Sequence, residues 1–117
     1  MTVFSSVLDM IGNTPMVDVS RLSPNPNVRI LGKMEGQNPG GSVKDRIARQ
    51  MILEAEADGT LYPGATLIEP SSGNTGIALA MICQERGYHI KILLPESVSI
   101  ERRQMLEVFG AEIMLTP

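Results

Sequence analysis

The sequence is poor in the residues that nucleic-acid binding requires. It has no tryptophan, two tyrosines and two phenylalanines, so it offers little aromatic surface on which bases could stack. Its formal net charge is −3, which also disfavours a polyanionic partner. We therefore expect a protein that does not bind nucleic acid.

Cysteine and histidine are almost absent. Cys83 is the single cysteine and His89 the single histidine, so no intrachain disulfide can form and no metal site is predicted. A chain without disulfides is typical of a reducing compartment, and we expect a cytoplasmic protein. Cys83 falls in an apolar helix and is predicted to be core, whereas His89 opens a strand.

Long hydrophobic runs and a basic N-terminus are missing too. Residues 1–10 carry no Lys or Arg, so they predict neither a signal peptide nor a membrane span. The 117 residues are 43% hydrophobic and 20% charged, which is typical of one globular domain with a modest core.

The second half of the chain has a regular alternation of strands and helices. The pattern predicts strands at 66–69, 89–94 and 112–115 and helices at 74–86 and 99–109, with Gly87 and Gly110 closing the helices. Such a β-α-β-α-β order predicts parallel strands joined by right-handed crossovers. Residues 77–83 are apolar nearly all round, so this helix needs cover on more than one side.

Before this region the sequence predicts a short helix at 5–10, short strands at 16–19 and 28–34, and a longer helix at 43–58. The apolar residues of the longer helix share one face and its charged residues lie on the opposite, solvated face. The apolar set is Val43, Ile47, Ala48, Met51, Ile52 and Ala55, and the polar set is Arg46, Arg49, Gln50 and Glu54.

An unusual lysine stands where this helix begins. Pro39 and the Gly40-Gly41 pair indicate a tight turn, after which Ser42 and Asp45 have the spacing of a capping box. Lys44 then falls in the first turn, where the positive end of the helix dipole disfavours a cation. That position favours the neutral amine, which can form a Schiff base. The alternative is a lysine that simply extends into solvent.

A run of small polar residues follows the strand predicted at 66–69. The segment 69–76 reads Glu-Pro-Ser-Ser-Gly-Asn-Thr-Gly, and it joins the end of a parallel strand to a helix N-terminus. Ligands of open α/β sheets bind at that edge, and the amides and hydroxyls there suit an anion. The alternative is a tight turn with no ligand.

Four segments together resemble one enzyme family. They are Gly12-Asn13-Thr14-Pro15, residues 38–46 (NPGGSVKDR), residues 71–76 (SSGNTG) and residues 95–103 (PESVSIERR). In this order they resemble the pyridoxal-phosphate-dependent cysteine synthase/cystathionine β-synthase family, and the resemblance runs from Leu8 to Pro117. The fold implied is the N-terminal portion of a fold-type II (tryptophan synthase β-like) enzyme, a parallel three-layer α/β/α structure.

The resemblance implies a role for each site residue. Lys44 would bind pyridoxal 5'-phosphate covalently and act as catalytic acid and base, and Asn74 would hydrogen-bond the cofactor ring oxygen. Ser71, Ser72, Asn74 and Thr75 would bind the substrate α-carboxylate. The reaction would be β-replacement, in which an activated serine such as O-acetylserine receives sulfide to give L-cysteine.

The resemblance also implies a division of the chain. Residues 1–41 would pack on a larger domain, and residues 42–117 would form most of a small mobile domain. The complete enzyme would be a homodimer, with serine acetyltransferase a further partner. Two departures stand out: Ser71 replaces the usual threonine, and the glycine-rich loop for the cofactor phosphate is not among these residues. We therefore expect the 117-residue chain alone to be inactive.

Two other interpretations stay open on the sequence. The first is an enzyme like cystathionine β-synthase, which would differ in its sulfur-containing substrate. The second is a non-catalytic α/β module that binds an anion. Absorption of near-visible light by a bound cofactor would separate the second from an enzyme.

Overall fold

A computed structural model describes residues 1–71 and 73–117. The strands are β1 (Met16–Asp18), β2 (Leu31–Lys33), β3 (Thr66–Glu69), β4 (His89–Pro95) and β5 (Glu112–Thr116), and the α-helices are α1 (Lys44–Ala57), α2 (Asn74–Arg86) and α3 (Ile100–Val108). Short 3-10 helices occupy Val7–Met10, Ser20–Leu22 and Glu35–Gln37. Within the described residues, none of the helices has the length and hydrophobicity that crossing a bilayer requires.

Strands β3, β4 and β5 form a parallel sheet in that order. Leu67 lies opposite Ile90, and Ile92 opposite Ile113. Helix α2 ends at Gly87, whose φ of 78° is left-handed and lets its N–H reach Cys83 O. Glycine closes helices in this way because it has no side chain to clash. The predicted β-α-β-α-β order and parallel pairing are confirmed.

Helix α2 is the centre of the core. Ala78, Ala80, Ile82 and Cys83 are completely buried, because α2 packs against α1, β4 and α3. The cover on more than one side that this helix needs is therefore present. Burial raises the pKa of the Cys83 thiol to about 11, so this cysteine behaves as a core residue, as predicted.

The sheet presents two different faces. Ile90, Ile92 and Leu94 of β4 are buried, and they form the face that α2 covers. Ile68 and Met114 lie on the opposite face and are 65% and 44% exposed. The described residues place no helix over that face, so the second helix layer of the expected three-layer fold stays an expectation for a longer chain.

The first residues form a small sheet of their own. Strands β1 and β2 pair antiparallel, with Val17 opposite Gly32. The strand predicted at 28–34 pairs only over Leu31–Lys33 because its partner has three residues. Leu8 and Ile11 join the main core, whereas the side chains of this small sheet are largely exposed.

Helix α1 is close to its predicted bounds, but its buried face is narrower than predicted. Ala48 and Ile52 are buried, whereas Ile47 and Met51 are exposed. The reason is that α1 packs against α2 and makes no comparable contact with the sheet. A single helix-helix contact covers a narrower stripe than a helix lying on a sheet would.

Candidate active site

Lys44 is the first residue of α1, and it therefore lies in the first helical turn, as the sequence predicted. Its backbone N–H donates to Ser42 Oγ at 3.1 Å, and its side chain is exposed. No hydrogen bond or ion pair of its amine occurs within the described part of the chain. The amine is therefore accessible to a ligand at the positive end of the helix.

The predicted capping box of Ser42 and Asp45 is wrong. Asp45 Oδ2 accepts instead from the N–H of Gly40 at 2.5 Å, and Ser42 bonds the amide of Lys44. The helix begins after Val43, and Gly41, with φ of 85°, folds the chain back over the first helical turn. That fold brings the Gly40 amide, and not the Ser42 amide, to the carboxylate.

Asp45 is completely buried. Burial raises the pKa of its carboxyl group, and the hydrogen bond from Gly40 opposes that rise in part. Its Oδ1 has no hydrogen-bond partner among the described residues. A buried carboxylate oxygen without a partner is energetically costly. The position of this carboxyl group beside Lys44 therefore needs a structural explanation.

The loop before α2 is held by Ser71. Its Oγ accepts from the N–H of Gly73 at 3.3 Å and from the N–H of Gly76 at 3.2 Å. A side chain on Gly76 would place its Cβ 2.5 Å from Ser71 O. This close approach explains the glycine, and the Ser71 hydroxyl is already engaged with the backbone.

Asn74 and Thr75 open helix α2. Asn74 is exposed and Thr75 half-buried, and their N–H groups belong to the first turn, which has no intrahelical acceptor. A helix start with free amides and two polar side chains can bind an anion. The fourth predicted carboxylate ligand, Ser72, lies outside the described residues.

Helices α1 and α2 run in the same direction. Near their C-terminal ends, Glu56 Oε1 accepts from Arg86 Nε at 2.9 Å and from the Tyr88 hydroxyl at 2.9 Å. Near their N-terminal ends, Pro39, Gly40 and Ile77 line one cavity of about 500 Å³. The helices have 14 and 13 residues, so their N-termini lie at the same end.

The predicted site residues that the structure describes therefore lie at one end of the molecule. Lys44 stands at the N-terminus of α1, and Ser71, Asn74 and Thr75 stand at or before the N-terminus of α2. The same edge holds the carboxyl end of β3, which is where open parallel sheets bind ligands. The positive ends of both helix dipoles lie at this edge, and both favour negative charge.

A polar cluster that the sequence analysis missed supports this end of α1. Arg46, which the helical pattern assigned to the solvated face, donates to Glu35 through Nε at 2.8 Å and Nη2 at 2.9 Å. Thr14 Oγ1 donates to Glu35 Oε1 at 2.6 Å. The hydrogen bonds from Arg46 and Thr14 lower the pKa of Glu35 to about 2.

Asn38 completes the cluster. Its Oδ1 accepts from the N–H of Gly12 at 2.8 Å, and its Nδ2 donates to Glu35 O at 2.8 Å. Residues far apart in sequence are thereby tied to the first turn of α1. The only sequence signal for this cluster is that its members fall in or beside the short motifs at 12–15 and 38–46.

Comparison with known proteins identifies the family. A family model described as "Pyridoxal-phosphate dependent enzyme" matches residues 7–117. The chain belongs to the pyridoxal-phosphate-dependent enzyme family. The cofactor of this family is therefore pyridoxal phosphate, as the sequence predicted.

Curated relatives include cysteine synthases. The chain is 52% identical over 114 residues to cysteine synthase from Flavobacterium sp., covering 97% of the chain and 37% of that relative. It is 54% identical over 105 residues to cysteine synthase B from Salmonella typhimurium, covering 90% of the chain and 35% of that relative. This family member thus spans a little over a third of the length of these curated relatives.

Solved structures of similar fold are also enzymes. An O-ureido-L-serine synthase superposes with a TM-score of 0.93 at 45% identity, over 99% of the chain and 36% of that protein. A hydrogen sulfide-producing enzyme from Fusobacterium nucleatum superposes with a TM-score of 0.93 at 47% identity, over 99% and 38%. The expected α/β fold of this pyridoxal-phosphate-dependent family is confirmed.

Proposed function

We propose that this chain is the N-terminal part of an enzyme that makes L-cysteine from an activated serine, such as O-acetylserine, and sulfide. The observation that carries the proposal is the accessible amine of Lys44, which has no polar partner among the described residues and lies at the same end as the open N-terminus of α2. The similarity to cysteine synthases, at 52% and 54% identity, supports this substrate pair. The cofactor, when bound, supplies an electron sink for carbanion chemistry at the substrate Cα.

Each residue of this site has a separate task in the proposal. Lys44 would hold the cofactor through Nζ, and the same Nζ, once the substrate amine has displaced it, would take the proton from the substrate Cα and later return one. Asn74, exposed in the first turn of α2, hydrogen-bonds the cofactor ring oxygen. These residues fit the ring end of the cofactor, while the phosphate would be bound by a part of the enzyme outside this chain.

The start of α2 binds the substrate carboxylate in this proposal. Thr75 offers a hydroxyl, and the first-turn amides carry the positive end of the dipole. Ser71 acts differently from the other ligands: its Oγ already accepts two backbone N–H bonds, so its own hydroxyl proton is what remains to donate to the carboxylate. Ser72 is proposed as a ligand on the resemblance alone.

The assignment of residues 1–41 to the interface with a larger domain, and of residues 42–117 to a small domain, is part of the proposal. It is supported by the exposed apolar side chains of β1 and β2, among them Met16, Val17 and Leu31. A homodimeric, cytoplasmic enzyme that can bind serine acetyltransferase is proposed on the family resemblance.

The nucleophile is the least constrained part of the proposal. In the proposal, this chain would supply the amine and the carboxylate site that any β-replacement on serine needs. The similarity to O-ureido-L-serine synthase at 45% identity supports a second candidate, in which a nucleophile other than sulfide is added. Product analysis with sulfide, homocysteine and other nucleophiles in turn would distinguish these enzymes.

Borohydride reduction of the complete enzyme tests the role of Lys44. We expect the reduced cofactor on the peptide that contains Lys44, and none after Lys44→Ala. Lys44→Arg is also expected to fail because a guanidinium stays protonated. Lys91, which forms a surface ion pair with Glu112, provides the control, and Lys91→Ala should label normally. Reduced cofactor on another lysine would refute the assignment.

A further inference from the structure

Asp45 combines three features that the proposed function does not explain. It is completely buried, it directly follows the exposed Lys44, and its Oδ1 has no partner in the described part of the chain. An apolar side chain of similar size would avoid the cost of burying a carboxyl group. The contacts that this carboxyl group makes therefore indicate what it does.

Among the described residues, the one hydrogen bond of this carboxyl group is with a loop residue, Gly40. Oδ2 accepts from the N–H of Gly40 at 2.5 Å. A Cβ on Gly40 would lie 2.4 Å from Oδ1 and 2.9 Å from Oδ2, so the carboxylate rests directly against the Gly40 backbone. The adjoining turn is closed by Gly41 N–H, which donates to Asn38 O at 2.8 Å.

The contact with Gly40 also sets the direction of Lys44. Successive side chains of an α-helix leave the axis about 100° apart. When Asp45 is held inward against Gly40, Lys44 must leave the helix on the exposed side. In the residues that follow this turn, Ser42 Oγ accepts from the N–H of Lys44 at 3.1 Å. The loop therefore contacts both the backbone of Lys44 and the side chain of the next residue, Asp45.

We propose that Asp45 is a positioning residue for Lys44. Its carboxylate holds the Pro39–Gly41 turn against the first turn of α1 and thereby fixes the direction in which the reactive amine points. This inference rests on the proposed function, because it assumes that Lys44 binds the cofactor. Asp45 touches neither cofactor nor substrate in the proposal.

The test uses the complete enzyme after cofactor removal and measures two quantities. The first is hydrogen exchange at the Gly40 amide, measured without cofactor. The second is the rate of covalent attachment of added pyridoxal phosphate at Lys44, followed by borohydride quenching and peptide mapping. Neither quantity depends on turnover.

Asp45→Ala should raise Gly40 exchange and lower the attachment rate, each by about tenfold or more, as expected for one lost hydrogen bond to a charged group. Asp45→Asn should recover most of both, because its amide oxygen can still accept from Gly40. Gly40→Ala should lower the attachment rate as well, since its Cβ displaces the carboxylate while leaving Asp45 in the sequence.

Two controls separate positioning from general stability. Gly36→Ala changes a glycine in the short 3-10 helix just before this turn, where the added Cβ would lie 4.0 Å from its nearest neighbour, Gly41 O, and it should leave both quantities unchanged. Ile52→Val weakens the core packing of α1 itself and should leave the attachment rate unchanged at temperatures where the protein is folded. If Asp45→Ala does not fold, Asp45→Asn and Gly40→Ala still decide the question.

The outcomes for the two proposals are distinguishable. Failure of the unmodified enzyme to attach cofactor at Lys44 would overturn the proposed function. Normal attachment in the unmodified enzyme, together with an equal rate in Asp45→Ala or Gly40→Ala, would overturn the positioning role alone. A loss in Asp45→Asn as large as in Asp45→Ala would overturn the hydrogen bond to Gly40 as its cause.

Discussion

Replacing Gly76 with alanine should destabilise the protein, against the usual trend for helices. Glycine to alanine inside a helix normally stabilises by about 1 kcal/mol. At Gly76 the added Cβ would lie 2.5 Å from the carbonyl oxygen of Ser71, a distance that no relaxed structure tolerates. The segment before α2 must therefore retreat by roughly half an ångström.

The size of the effect follows from what that retreat disrupts. Ser71 Oγ accepts from Gly73 and Gly76 at 3.3 and 3.2 Å, so a small displacement takes both bonds out of range. Each is worth about 0.5–1.5 kcal/mol, and the crowding itself about 1–3 kcal/mol. After the helix preference is subtracted, we expect a net loss of about 1–5 kcal/mol.

Urea unfolding of the complete enzyme measures this loss, with Gly73→Ala as the matched control. Among the described residues that are not its chain neighbours, none has an atom within 4 Å of a would-be Cβ on Gly73, whose φ is −105°, so its replacement should change stability little. Substrate affinity should also fall in the Gly76 variant, because the displaced segment carries the proposed carboxylate ligands. An increase in stability for Gly76→Ala would refute the close approach to Ser71.

Three further predictions concern other parts of the structure. The folded-state pKa of Glu35 is lowered from 4.5 to about 2, so its ion pair with Arg46 contributes stability that is complete above pH 4.5 and is lost as the pH falls towards 2. The free energy of unfolding should therefore fall less steeply over this pH range in Glu35→Gln than in the unmodified protein. An unchanged slope would contradict the contribution of the ion pair. Ile92→Ala in the centre of β4, where the side chain is completely buried, should cost about 2–5 kcal/mol in urea unfolding, whereas alanine at the exposed Ile68 should cost far less. Thr75→Val should weaken substrate binding by about 1.5–3 kcal/mol, measured by titrating substrate and following the cofactor spectrum, whereas Thr75→Ser should keep the substrate affinity. Loss of cofactor with unchanged substrate affinity would reverse the assigned roles.

Local sequence patterns predicted the parallel sheet and its helices well. The bounds of α2 and β3 agree with the prediction to the residue, because a buried strand, a turn of small residues and a closing glycine are each signalled within a few positions. The first-turn location of Lys44 was predicted for the same reason. These features depend on backbone propensity and hydrophobic period, which neighbouring residues determine.

Features that join distant segments could not be predicted in this way. Arg46 reads as a surface residue by helical period, yet it pairs with Glu35 and lies against Thr14. The exposure of Ile47 and Met51 depends on α1 packing against one helix only. Neither outcome is visible in a window of a few residues, because each depends on which segments meet in space.

For this chain, then, the sequence by itself determined the order of elements and the family, since both are encoded in short motifs, and it predicted the residues that would hold the cofactor. The tertiary structure alone decided that α1 and α2 lie parallel with both N-termini at one end. It also decided that Asp45 turns away from its predicted capping partner to hold Gly40. The physical reason is that a hydrogen bond or a buried contact between distant residues forms only once packing has fixed their separation.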